Sequence, residues 1–124
     1  MNKTIATQSA PAAVGPYCQA KLAGNTLYTS GQLGLVPETG KLAEGLEGQA
    51  HQSLKNLGAI LKEAGMEYGD VVKTTCFLAD IKDFAAFNAI YAEYFKGEVP
   101  ARSCFQVAAL PMGALLEVEC IAVK

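Results

Sequence analysis

Histidine is almost absent from this chain, no Cys-x-x-Cys pair occurs, and no long apolar run interrupts its 124 residues. Each absence removes a class of function. His51 is the only histidine, so without a close cysteine pair a structural zinc site has no recognisable donor set. A membrane span needs about 18 apolar residues in succession, and no such run is present, so no membrane association is expected. The opening residues, Met1 to Gln8, also lack the apolar core that an export signal carries. Basic residues do not outnumber acidic ones: 10 Lys and Arg stand against 12 Asp and Glu, for a net charge of -2. The isoelectric point of 5.3 is opposite to what phosphate neutralisation favours, which argues against nucleic acid as a partner. The four cysteines, at positions 18, 76, 104 and 120, are too widely spaced to suggest a disulfide framework. They read as free thiols of a reducing cytoplasm.

What remains describes a compact globule. Hydrophobic residues make up 51% and charged residues 18%, a balance that opposes disorder. A chain of this length buries roughly two-thirds of its unfolded surface without metal or disulfide support. No linker or repeat divides it, so residues 1–124 are expected to form a single domain. Gly24-Asn25 between two alternating segments predicts a two-residue hairpin. Leu46, Ala50, Leu54, Leu57, Leu61 and Ala64 recur at helical spacing, with Gln52, Lys55, Asn56, Lys62 and Glu63 on the polar side. Gly65 supplies a stop. His51 lies at the polar edge of that stripe and reads as a boundary residue. The β-branched run from Asp70 to Leu78 predicts a strand. A second helix, capped near Asp83, carries the aromatic stripe Phe84, Phe87, Tyr91 and Phe95. Ala101 to Ala108 and Leu116 to Val123 read as strands. A mixed sheet with two helices on one face is the economical α+β packing.

Alternation along a strand separates its two faces. Arg102, Cys104 and Gln106 share one face of their strand; Glu117 and Glu119 share one face of theirs. Charges on core-like strands are costly to bury unpaired. A cross-strand Arg–Glu pair and a ligand site account for them equally on spacing alone. Asn88 falls within the aromatic stripe of its helix. Its amide needs partners, either as a structural bond or as a wall of a pocket beside Arg102.

Three blocks then resemble one family. Ala10-Pro11-Ala12-Ala13-Val14-Gly15-Pro16-Tyr17-Cys18-Gln19-Ala20 is similar to the opening motif of the RidA (YjgF) imine/enamine deaminases, and Tyr28-Thr29-Ser30-Gly31-Gln32 to their second. Val99-Pro100-Ala101-Arg102-Ser103-Cys104, with Leu110-Pro111 and Leu116-Glu117-Val118-Glu119, resembles their C-terminal signature. The resemblance runs nearly end to end. It implies a chorismate-mutase-like fold and a homotrimer with a central β-barrel, helices outside and sites in the clefts between subunits.

Carried across residue by residue, it implies that Arg102 binds a substrate carboxylate, which a planar guanidinium grips through two parallel hydrogen bonds. Glu117 would position or activate the attacking water. Tyr17, Ser30, Gly31, Asn88 and Cys104 would line the cleft. Cys104 is expected to contribute its backbone carbonyl, because no Cys–His motif supports a thiol nucleophile. Cys18, Val118 and Met112 depart from the commoner pattern without removing a proposed catalytic group. The implied reaction is hydrolysis of a short 2-imino acid to a 2-keto acid and ammonia, with no metal or organic cofactor. A regulatory module sensing keto or amino acids would use the same pocket. An endoribonuclease or translation inhibitor is a third reading, which the acidic balance weakens.

Overall fold

Two turns that the sequence specifies set the chain's course in the computed structural model, which describes residues 2–124. Met1, the first residue of the segment read for an export signal, lies outside them. Strand β1 (Lys3–Ile5) is followed by β2 (Ala20–Ala23) and β3 (Thr26–Thr29), which Gly24-Asn25 joins. Gly24 takes a φ of 61°, the left-handed value such a turn needs. Short strands β4 (Gln32–Leu33), β5 (Leu35–Val36) and β6 (Lys41–Leu42) lead into helix α1 (Gly45–Glu63). Gly65 then ends α1 as predicted: at φ 74° it lets Met66 N donate to Leu61 O at 2.8 Å and its own N–H to Lys62 O at 3.0 Å. Together these satisfy the last carbonyls of the helix. Strand β7 (Val71–Leu78), helix α2 (Phe84–Tyr94), β8 (Ala101–Gln106) and β9 (Leu116–Val123) complete the chain.

The main sheet runs β1-β2-β3-β9-β7-β8, with β4 also pairing to β9. Its neighbours are antiparallel except β7 and β8, which are parallel and joined through α2. Strands β5 and β6 form a separate hairpin. Both helices pack together over one face of the sheet. Leu54, Leu57, Ile60 and Leu61 of α1 and Phe87 and Tyr91 of α2 share a buried cluster with Cys76, Leu116, Val118 and Ala122. The α+β arrangement of mixed sheet and two helices is therefore the one expected. Among the described residues no helix is long and apolar enough to cross a membrane.

Two local expectations are corrected. Asn56 was placed on the wet side of α1, yet it is fully buried. Its amide donates to Leu33 O at 3.1 Å and Leu35 O at 2.9 Å. These carbonyls belong to the irregular stretch where Gly34 runs against α1, so close that a Cβ there would meet Gln49 O at 2.5 Å. Asp83 was expected to cap α2 but makes no side-chain cap bond. It is already helical in φ and ψ, whereas Asp80 is extended, the backbone state from which a side chain reaches forward N–H groups. Asp80 accordingly accepts from Lys82 N at 2.9 Å and caps a short turn, Ile81–Asp83, that feeds the helix.

Candidate active site

Helix α2 presents Phe84, Asn88 and Tyr91 at spacings of four and three, one row along its surface. That row meets β8 at Arg102. Asn88 Oδ1 accepts from Arg102 Nη1 at 2.8 Å. The central guanidinium carbon lies 4.7 Å from the Tyr91 ring centroid and 5.5 Å from that of Phe84, distances at which an aromatic ring attracts a cation. Arg102 opens onto a cavity of about 300 Å³ that Asn88, Tyr91, Phe95, Val99 and Pro100 also line. The open question about Asn88 thus resolves both ways: its amide is bonded, and the bond is to the arginine at the cavity wall.

Cys104 lies two residues along the same face, opposite Cys76 of β7. Burial raises its thiol pKa above 9.0, and Arg102 only partly opposes that rise. Cys76, deeper in the core, is pushed up to about 12, chiefly by burial. Neither sulfur is held as a thiolate, which is the form a nucleophile requires. All four cysteines are free.

Glu117 occupies the other face of the sheet. It pairs with Phe77 of the adjacent β7, while its neighbours Leu116 and Val118 point into the helical core. Burial first, and then Glu119, raises its carboxyl above the ordinary 4.5. Its surroundings arise from an irregularity in the edge alongside β9. Tyr28 pairs with Ile121 and Gln32 with Val118, so the segment from Tyr28 to Gln32 has one more residue than the stretch of β9, Val118 to Ile121, that it faces. The extra residue bulges at Ser30-Gly31, the kind of break that re-aims side chains beside sites. Thr29 fills the interrupted ladder, its Oγ1 accepting from Cys120 N at 2.9 Å. Gly31 then lies against the glutamate: a Cβ there would stand 2.6 Å from Glu117 Oε2. Ser30 Oγ donates to Cys18 O at 2.7 Å, which holds the Tyr17 segment beside Gly31. Tyr17, Gly31, Leu33, Met112 and Glu117 line a second cavity of about 450 Å³. Met112 has a left-handed φ of 60°, uncommon for a side chain of this size.

The expected residues therefore form two groups. Arg102, Asn88 and Cys104 gather on the helical side; Tyr17, Ser30, Gly31 and Glu117 gather around the opposite face. The cross-strand Arg–Glu pair does not form. Arg102 registers with Thr74 and Thr74 with Cys120, so the glutamates of β9 emerge on the far side of the sheet. Nothing in the sequence pattern of Thr74, Tyr91 or Thr29 marks them as functional residues. Tyr91 and Phe84 read as core aromatics, although their i, i+7 spacing around Asn88 was visible. A wider recess of about 600 Å³ along Thr7, Ala10, Ala13, Tyr17 and Pro37 bears no charged side chain. Among the described residues no cluster of three His, Cys, Asp or Glu could hold a metal ion. His51, as expected, is a boundary residue whose Nδ1 lies 2.7 Å from Tyr94 OH.

Comparison with known proteins gives this geometry its context. A family model described as Endoribonuclease L-PSP matches residues 7–124. The rat protein named 2-iminobutanoate/2-iminopropanoate deaminase is 53% identical over all of this chain and 91% of its own length. Reactive Intermediate Deaminase A, chloroplastic, of Arabidopsis thaliana is 55% identical over 97% of this chain, which spans 65% of that relative's length. The crystal structure of Escherichia coli TdcF with bound serine superposes with a TM-score of 0.95 at 44% identity, covering 98% of both chains. The chain belongs to the Endoribonuclease L-PSP family, the RidA (YjgF) family whose motifs its sequence carries.

Proposed function

We propose that this protein is a hydrolytic deaminase that converts short 2-imino acids and their enamine tautomers to 2-keto acids and ammonia. The observation that carries the reading is the Arg102 guanidinium, oriented by Asn88 and two rings at the mouth of a small cavity. A fixed planar fork suits a carboxylate. The deaminase names of full-length relatives support the reaction class, and the serine in TdcF supports a ligand of this size.

In this mechanism Arg102 holds the substrate carboxylate and places C2 before a water molecule. Glu117 accepts a proton from water as the water oxygen bonds to C2 of the protonated imine, giving a neutral tetrahedral carbinolamine. Glu117 returns that proton to nitrogen, the C–N bond breaks with its electron pair leaving on ammonia, and the hydroxyl proton passes back to Glu117 as the carbonyl forms. The raised carboxyl of Glu117 suits a group that must both take and return a proton. The backbone carbonyl of Cys104 would accept a hydrogen bond from the substrate nitrogen. Imines hydrolyse in water unaided, so orientation and proton transfer suffice.

Arg102 and Glu117 serve opposite faces of one sheet, so a single copy does not bring both to one substrate. The reading therefore includes a homotrimer whose open sheet faces form a central barrel, with clefts between subunits that join the Arg102 group of one copy to the Glu117 group of the next. Half-exposed Tyr28 and Phe105 on that uncovered face support burial against another copy. The free thiols suit a reducing cytoplasm.

The test generates iminobutanoate with a threonine dehydratase in the presence of semicarbazide. The protein should suppress semicarbazone formation, and Arg102→Ala and Glu117→Ala should each abolish that effect while the trimer persists. Wild-type protein without effect, or both variants matching it, would refute the assignment. The serine-bound relative favours one second reading, a keto- or amino-acid sensor. That reading predicts Arg102-dependent binding of 2-oxobutanoate with no turnover.

A further inference from the structure

We propose that Tyr91, tethered by Thr74, is a positioning residue that fixes the plane of the Arg102 guanidinium and so sets affinity for the substrate carboxylate. The inference rests on reading Arg102 as the carboxylate anchor.

Three strands of geometry converge on it. The Tyr91 ring is almost fully buried and Thr74 completely so, yet the two hydroxyls meet at 2.8 Å. A buried hydroxyl is costly without a partner, and an apolar pair would fill the same space more cheaply. What the hydroxyl pair adds is a fixed position for the ring along β7, directly beside Arg102, because Thr74 and Arg102 are register partners. The ring is also held laterally, with Phe95 4.5 Å away and Phe87 5.8 Å away between centroids. Against this rigid surface the guanidinium carbon lies 4.7 Å from the ring centroid, while Asn88 fixes one Nη1 hydrogen. A guanidinium offers five N–H donors in one plane. With its central carbon held over a fixed ring and an amide holding one donor, its remaining donors would keep a constant direction for a two-point carboxylate contact.

The test separates this role from simple packing. In Tyr91→Leu, KM for the imine and Kd for 2-oxobutanoate should rise about tenfold, equivalent to about 1.4 kcal/mol, while kcat changes by less than about twofold. Tyr91→Phe should recover most of the affinity. A double-mutant cycle with Arg102→Lys supplies the decisive readout. A lysine ammonium is a point charge with no plane to fix, so deleting the ring in that background should change affinity less than about twofold. An equal tenfold loss in both backgrounds would overturn the proposal, because the ring would then act as cavity wall. Where Tyr91→Leu does not fold, Tyr91→Phe and Thr74→Val carry the test. Each should raise KM about two- to threefold, and the double variant no further; unchanged KM in both would overturn it. If Arg102→Ala keeps full affinity, the anchor reading itself fails. If Arg102→Ala loses affinity and Tyr91→Leu does not, only the positioning role fails.

Discussion

Glycine at position 31 has a reason that its lack of a side chain makes plain. A Cβ would press on Glu117 Oε2 at 2.6 Å, and the neighbouring Gln32 is paired to β9, so the carboxylate is the group that must move. If Glu117 takes part in the reaction as proposed, Gly31→Ala should therefore reduce kcat about tenfold or more, since a small displacement of a reacting group can cost this much, with little change in Tm. Comparing turnover with thermal melting checks both halves. Glu117 itself gives a pH prediction. Its folded carboxyl lies above 4.5, through burial and then Glu119, so kcat should rise with pH about a midpoint higher than an ordinary glutamate's. The stability sign is opposite. Below 4.5 the group is protonated in folded and unfolded chains alike; above its folded value the full penalty for ionising a half-buried carboxyl applies. Glu117→Gln should thus gain stability over wild type as pH rises through that window and lose the advantage in acid. An advantage that grows toward low pH would contradict the assignment.

At the scale of elements, polar side chains of α1 secure the stretch that the sheet leaves irregular. Asn56 donates to two carbonyls around Gly34, and Ser53 Oγ donates to Gln32 O at 2.7 Å. Leucine at 56 would preserve the volume but strand both acceptors, at about 1–3 kcal/mol for each. Denaturant unfolding of Asn56→Leu should show that loss, and amide exchange should quicken in β4 and β5 before the central strands. The helical stripe of α1 was legible because Leu54, Leu57 and Leu61 recur with its period. Asn56 was not, because periodicity reports the polarity of a residue and not the unpaired carbonyls waiting beside it. The same limit hid Tyr91: its spacing announced a buried face, and only the fold put Arg102 against that face.

For the whole molecule, the decisive feature is a sheet covered by helices on one side and open on the other. Phe77 and Phe105 stack edge to face on the open side with centroids 5.4 Å apart, and Phe105 is 44% exposed. If the proposed trimer forms through this face, Phe105→Arg should leave only monomers in light scattering and abolish imine hydrolysis, although Arg102 and Glu117 remain intact. Monomers that retain full turnover would show that one copy builds a complete site.

By itself the sequence determined the two helices, the long strands β7 and β9, the Gly24-Asn25 hairpin, the Gly65 stop and the residue types of the candidate site. These follow from local rules: hydrophobic period, turn conformation and the chemistry of a guanidinium or carboxylate. Tertiary structure decided which of those residues meet. Pairing β8 in parallel to β7, and β9 antiparallel on the other side of β7, put Arg102 over the helices and Glu117 on the bare face. A one-residue change of register inverts every side chain of a strand. Alternation along each strand separates its two faces, but which strand lies beside which is settled by contacts between segments distant in sequence.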